Sequence, residues 1–135
     1  MTYCADTDVE ARAPIAVEAV ATVNAARARR SLADRTLADW RADACAEINR
    51  VLLRRGITTA MVSRPDDLIP AEVALVVTLL CEAATQSPVT AGASKVDQWG
   101  QNAAYWRTVY VREIEAAAPV LGVKATGRSF GWNRA

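Results

Sequence analysis

Asp39, Asp43 and Glu47 stand at four-residue steps, a spacing that puts three carboxylates on one face of a helix. Carboxylate oxygens on one face could hold a hard divalent cation, but such ions want six or more oxygen ligands. No second acid-rich cluster supplies the remainder, so a solvated helix face is the simpler expectation. Asp66-Asp67 precedes an apolar run and is expected to act as a helix N-terminal cap. The chain has no histidine and three well-separated cysteines, Cys4, Cys45 and Cys81, with no CxxC. That excludes the usual Ser-His and Cys-His nucleophile pairs, imidazole acid–base catalysis and the common zinc sites. Neither GxxxxGK[ST] nor GxGxxG occurs. The expectation is therefore a protein that is not an enzyme, with no metal and no cofactor.

The basic residues raise a different possibility. Residues 27–64 hold nine arginines against four acids, including Arg27, Arg29 and Arg30. A helix-turn-helix regulator reading DNA through Arg27–Arg35 would account for them. Against this, the helix expected over 36–55 has no internal Gly-bearing turn, and about 13 residues follow Gly56, too many for the usual three- or four-residue turn. Net charge is +1, from 16 basic and 15 acidic residues, so no global field favours nucleic acid or membrane. Fourteen of the 16 bases are Arg, which fits a GC-rich genome at least as well as phosphate recognition.

These groups must be carried on helices. The chain is 135 residues long, enough for one real core, with 28 alanines and one phenylalanine. Alanine has the best helix propensity and lets backbones approach closely. Thr7-Asp8-Val9-Glu10 has capping-box spacing, predicting a short helix from about Thr7 that ends by Pro14. Ile15 to Arg30 suits a helix, with a break at Ser31–Asp34. From Thr36 to Arg55, Leu37, Trp40, Ala44, Ile48, Val51 and Leu52 build one apolar stripe, acids come early and bases late, and Gly56 caps the end. Residues 57–69 read as a loop. Pro70 then opens a helix over about 70–86 that is apolar on nearly every side and should be central. Ser87–Ser94 reads as a flexible connector. The last helix, Lys95 to Ala118, carries Val96, Trp99, Ala103, Trp106, Tyr110 and Ile114 on one face and is ended by Pro119. The architecture expected is all-α: a bundle domain over 1–118 of three long and one or two short N-terminal helices, then an extended tail over 119–135. Trp40, Ile48, Leu79, Trp99 and Trp106 are the expected core.

The tail has three bases, no acid, and both Phe130 and Trp132. A merely disordered terminus has little reason to leave two large aromatics in water. Aromatic and arginine side chains anchor interfaces, so Arg128, Phe130, Trp132 and Arg134 are the candidate partner contacts. The acidic residues Asp6, Asp8 and Glu10 could attract this tail between neighbouring subunits. The N-terminus lacks a secretory pattern, the cysteines suit a reducing compartment, and Val73–Leu80 is too short to span a bilayer. A soluble protein made in the cytoplasm is expected, without membrane contact.

The order of elements resembles one family: the head–tail connector, or adaptor, proteins of tailed bacteriophages and related gene-transfer particles. The likeness lies in the capped TDVEAR, the helix LADWRADACAEINRVLLRRG, the helix IPAEVALVVTLLCEAA after a loop, the aromatic helix AAYWRTVYVREIEA, and the C-terminal segment. The Ala/Val-rich 15–35 region is longer than that pattern has. The resemblance implies a small helical subunit repeated in a ring, typically twelve-fold, in the virion neck. Such a ring binds the portal protein on one side and a downstream neck or tail protein on the other. DNA passes through its lumen without specific binding, which a near-neutral chain permits. Another neck or tail-completion protein would differ only in ring position.

Overall fold

The computed structural model describes the backbone of residues 2–86 and 88–126 and the side chains of residues 2–86 and 97–117. It is all-α, with five helices and no strand among the described residues. They are α1 (Asp6–Arg12), α2 (Ile15–Arg29), α3 (Leu37–Arg54), α4 (Ile69–Thr85) and α5 (Pro88–Thr126). Two single 3₁₀ turns, Thr59–Met61 and Pro65–Leu68, break up the segment expected to be loop.

The helix ends follow from local chemistry. α3 starts at a true capping box: the Asp39 N–H donates to Thr36 Oγ1 at 3.3 Å, and the Thr36 N–H donates back to Asp39 Oδ2 at 2.8 Å. Its end is a Schellman turn, with the Ile57 N–H on the Leu52 carbonyl and the Gly56 N–H on that of Leu53, both at 2.9 Å. Gly56 adopts φ +80° there. α2 ends the same way through Ser31, at φ 57°, with the Leu32 N–H reaching the Arg27 carbonyl at 2.9 Å. α1 begins at Asp6, within one residue of the expected start at Thr7, and ends before Pro14. Ala5 is the cap residue, and its N–H donates to Asp8 Oδ2 at 2.8 Å. The Asp66-Asp67 pair lies in the second 3₁₀ turn and gives α4 no side-chain cap; Asp67 pairs with Arg64 Nε at 3.1 Å instead.

α4 is the axis of the molecule. Ala71 to Thr78, Leu80, Cys81 and Ala84 are all buried, and α1, α2, α3 and α5 each pack on it. The helical run Pro65–Thr85 has the length and apolarity to cross a membrane, but 67% of its most apolar 18-residue window is buried inside the bundle, as in a core helix. α5 lies antiparallel to α4: a methyl group at Gly100 would stand 3.8 Å from Thr85 Cγ2, Arg107 bonds Glu82 at 2.9 Å, and Pro70 shares a groove with Ala116 and Ala117. Trp40, Ile48 and Trp99 are buried as expected. Leu79 and Trp106 are only partly buried at the core's margin, since α4 and α5 turn those positions toward its edge.

Two expectations about the C-terminal half are corrected. Residues 88–94 are helical rather than a connector, because Pro88 is tolerated in a first turn and Ala91 and Ala93 favour helix. The helix also passes Pro119 and continues to Thr126. A proline there forfeits one backbone bond, but Ala116–Ala118 on its N-terminal side are the strongest helix formers available. The division at 118 thus does not hold, and the helical part reaches Thr126; residues 127–135 lie outside the described residues.

The two left-handed positions give opposite expectations. Gly56→Ala lowers stability by about 1 kcal/mol although nothing crowds the site, because only the backbone conformation is penalised. Ser31→Gly changes stability in the other direction by up to about 1 kcal/mol. Urea unfolding followed by circular dichroism measures both.

Candidate functional site

Glu72 is the one charged residue in the apolar run Leu68–Cys81, and it is fully buried. Pro70 and the first turn of α4 aim it at the N-terminal segment. Its Oε1 accepts the Tyr3 N–H at 3.0 Å and the Cys4 N–H at 2.7 Å, and Oε2 accepts the Tyr3 N–H at 3.1 Å. α3 closes the other side. Arg41 Nε bonds Asp6 Oδ1 at 2.6 Å, and its Nη1 bonds Thr2 Oγ1 at 2.6 Å and the Cys4 carbonyl at 2.7 Å. The Tyr3 hydroxyl donates to Asn49 Oδ1 at 2.6 Å, and Asn49 Nδ2 faces Cys45 Sγ at 3.6 Å. Residues 2–6 are thereby clasped between α3 and α4. A buried carboxylate is costly unless its lone pairs are filled, and backbone N–H groups fill them here.

The thiols in this cluster are held in their protonated form. Burial, then hydrogen bonding to Glu72 and its negative charge, push the Cys4 thiol far up from its ordinary range. Burial, then the Glu72 charge, raise Cys45 as well. Cys81, buried in α4 near Glu82, is pushed up to about 11. All three cysteines are buried, and at neutral pH they are protonated small hydrophobes. No group of three or more His, Cys, Asp or Glu is placed to hold a metal among the described residues.

The carboxylates that shared a face in the sequence are separated by their partners. Asp39 caps α3, Asp43 bonds Arg35 Nη2 at 2.7 Å, and Glu47 bonds Arg50 at 2.8 Å. The arginine cluster is likewise divided. Arg27 Nε donates to the Ala33 carbonyl at 2.7 Å. Arg35 bonds Asp43 and lies 4.3 Å over the Trp40 ring. Asn24 clamps the Arg35 backbone, accepting its N–H at 2.9 Å and donating to its carbonyl at 3.0 Å. These contacts pack the α2–α3 connection, leaving Arg29 and Arg30 exposed. The candidate contacts Arg128, Phe130, Trp132 and Arg134 lie outside the described residues.

On the surface, Tyr105 and Val111 of α5 are 62% and 48% exposed, Leu53 of α3 is 60% exposed and Val17 of α2 is 53% exposed. Between the start of α4 and α5 runs a groove of about 270 Å³ lined by Asp66, Asp67, Pro70, Glu113, Ala116 and Ala117. Glu72 lies in the first turn of α4, where the sequence offers a negative side chain a favourable helix end. Its isolation in an apolar run was the signal of a buried role, but donors that are backbone N–H groups of residues 3 and 4 leave no side-chain signature.

No family model, no curated protein and no solved structure matches the chain.

Two measurements probe the clasp. Glu72→Gln leaves an amide among donors and lowers stability by about 2–3 kcal/mol, with faster amide exchange at Tyr3 and Cys4. Iodoacetamide labels none of the thiols in the native chain at neutral pH and all of them in denaturant, while Glu72→Gln makes Cys4 the first to react. In acid, the Thr36 backbone N–H and hydroxyl bonds hold the Asp39 carboxyl below its ordinary 3.8. A lowered folded value means stability present above 3.8 and lost as pH falls below it. Asp39→Asn therefore flattens that acid limb of the stability curve.

Proposed function

We propose that this chain is a structural connector subunit of a tailed phage or phage-like particle. It assembles as a twelve-fold ring beneath a portal protein, with DNA passing through the lumen and a neck or tail protein beyond. It performs no chemistry of its own, and its specificity lies in interfaces. The reading is supported chiefly by the reach of α5. Pro70 lies level with Ala116 and Ala117, so Ala118–Thr126 carry the helix about 14 Å past the first turn of α4. An arm of that kind, ending at a basic aromatic tail with Arg128, Phe130, Trp132 and Arg134, suits docking on a neighbouring component. Exposed Tyr105 and Val111 on the same helix suit side-by-side contacts between subunits.

The alternative, a DNA-binding regulator using Arg27–Arg35, draws less support, because Arg27 and Arg35 are engaged within the subunit. The two differ in their behaviour with salt. A regulator shifts duplex DNA in a gel with steep loss on adding salt, whereas the connector shows no shift. The direct test mixes the chain with a portal protein from the same genome and images the product by negative stain. A ring seated on the portal is expected, and deletion of residues 127–135 or the pair Phe130→Ala, Trp132→Ala abolishes it. Binding unchanged by either alteration would remove the tail from the proposal, and no ring with portal present would end the connector reading.

A further inference from the structure

We infer that Cys4 and Cys45 are a disulfide-forming pair, closed by a low-molecular-weight disulfide oxidant, that bolts the strap of residues 2–6 to α3. Arg41, Cys45 and Asn49 stand at four-residue steps on one face of α3. Both outer members of that row hold the strap. Arg41 Nη1 donates to the Cys4 carbonyl at 2.7 Å, and Asn49 Oδ1 accepts the Tyr3 hydroxyl at 2.6 Å. Cys45 lies midway between these anchors, about 6 Å along the helix from each. Its thiol and that of Cys4 donate to the same acceptor, the Glu72 carboxylate, which also takes the Cys4 N–H at 2.7 Å. The two cysteines are 4% and 6% exposed, so they meet inside the clasp rather than on its surface.

A disulfide needs Cβ atoms about 4 Å apart. Residues 2–5 precede α1, so the strap is the side that can adjust while α3 stays in place. Cys81 does not compete, because it stands nine residues past Glu72 on α4, about 14 Å along the axis. With the strap seated, both thiols are covered and protonated, and reaction waits on the lifting of residues 2–4, an opening that leaves the helices intact. The Cys4 thiolate then attacks one sulfur of the oxidant, and the small thiolate that leaves takes up the proton. The Cys45 thiolate next attacks the Cys4 sulfur of this mixed disulfide and expels the second small thiol. Two cysteine thiols are oxidised to one disulfide, and one small disulfide is reduced to two thiols. The strap, noncovalently held before the step, is covalently closed after it, so its retention follows the surrounding thiol–disulfide poise.

The test uses the full-length chain, first reduced and then equilibrated with oxidised glutathione at neutral pH without denaturant. Trypsin places Cys4, Cys45 and Cys81 on three separate peptides, so alkylation and mass spectrometry identify the pairing. Expected is a Cys4–Cys45 linked peptide at least tenfold more abundant than any pairing that includes Cys81, from a chain that stays monomeric on a non-reducing gel. Amide exchange at Tyr3 and Cys4 should slow at least tenfold on oxidation and recover with dithiothreitol. Cys45→Ser is expected to keep its helical circular dichroism, to yield no linked peptide and to show no such slowing. Glutathione adducts on Cys4 and Cys45 without a linked peptide overturn the inference. So do pairings that include Cys81 in comparable amount, links between chains, or a linked peptide whose strap amides exchange as fast as in the reduced chain. None of these readouts involves a portal or a ring, so the result stands apart from the connector proposal.

Discussion

A helix that is apolar on every side can exist in water only if other structure surrounds it, and α4 imposes that condition on the whole chain. Eleven of its 17 residues are buried, from Ala71 to Ala84. Covering it takes α1 and α2 on the N-terminal side, α3 through Trp40, Ile48 and Leu52, and α5 through Trp99, Ala103, Tyr110 and Ile114. The alanine-rich surfaces of α2 and α4 allow this close approach. Ala16, Ala19, Ala71, Ala74 and Ala84 are each fully buried, where larger side chains would hold the helices apart.

Complete enclosure also explains the position of Glu72. The N-terminal segment is too short to cover the first turn of α4 by apolar contact alone. Only Cys4 of residues 2–5 is buried. One carboxylate accepting two backbone N–H groups fixes the segment's register as apolar packing could not. Arg41 then neutralises Asp6 and accounts for the Cys4 carbonyl, so both backbone faces of the strap are occupied. The polar centre of this protein is thus a fastening, and the raised thiols around it follow from enclosure rather than from activation.

Much of this fold could be read from residue patterns, and where it could not the reason is physical. α3 was legible at both ends because Thr36, Asp39 and Gly56 are local signals whose partners lie within five residues. α4 was legible as central because no polar face exists. The start of α1 was legible to within one residue, but its cap was not, because Asp8 reaching back to the Ala5 N–H leaves no role for Thr7 as the cap. Pro88 and Pro119 were read as breaks, yet a proline decides a helix end only when neighbouring residues do not favour continuation. The clasp was invisible as a unit, since its two halves are separated by almost seventy residues and half its groups are backbone.

The charge arrangement bears on how the surface of this chain could recognise anything. Arg35, Arg41, Arg55 and Arg107 are matched by Asp43, Asp6, Glu115 and Glu82. Pairs of this exposure add little stability, typically no more than about 1 kcal/mol each. Their larger consequence is to cancel the field at the surface, leaving a molecule of net charge +1 without a dominant patch on its described helices. Long-range steering is then weak, and association must rest on short-range fit. The exposed Tyr105, Val111, Leu53 and Val17 supply apolar contact, and the acid-rimmed groove supplies local sign.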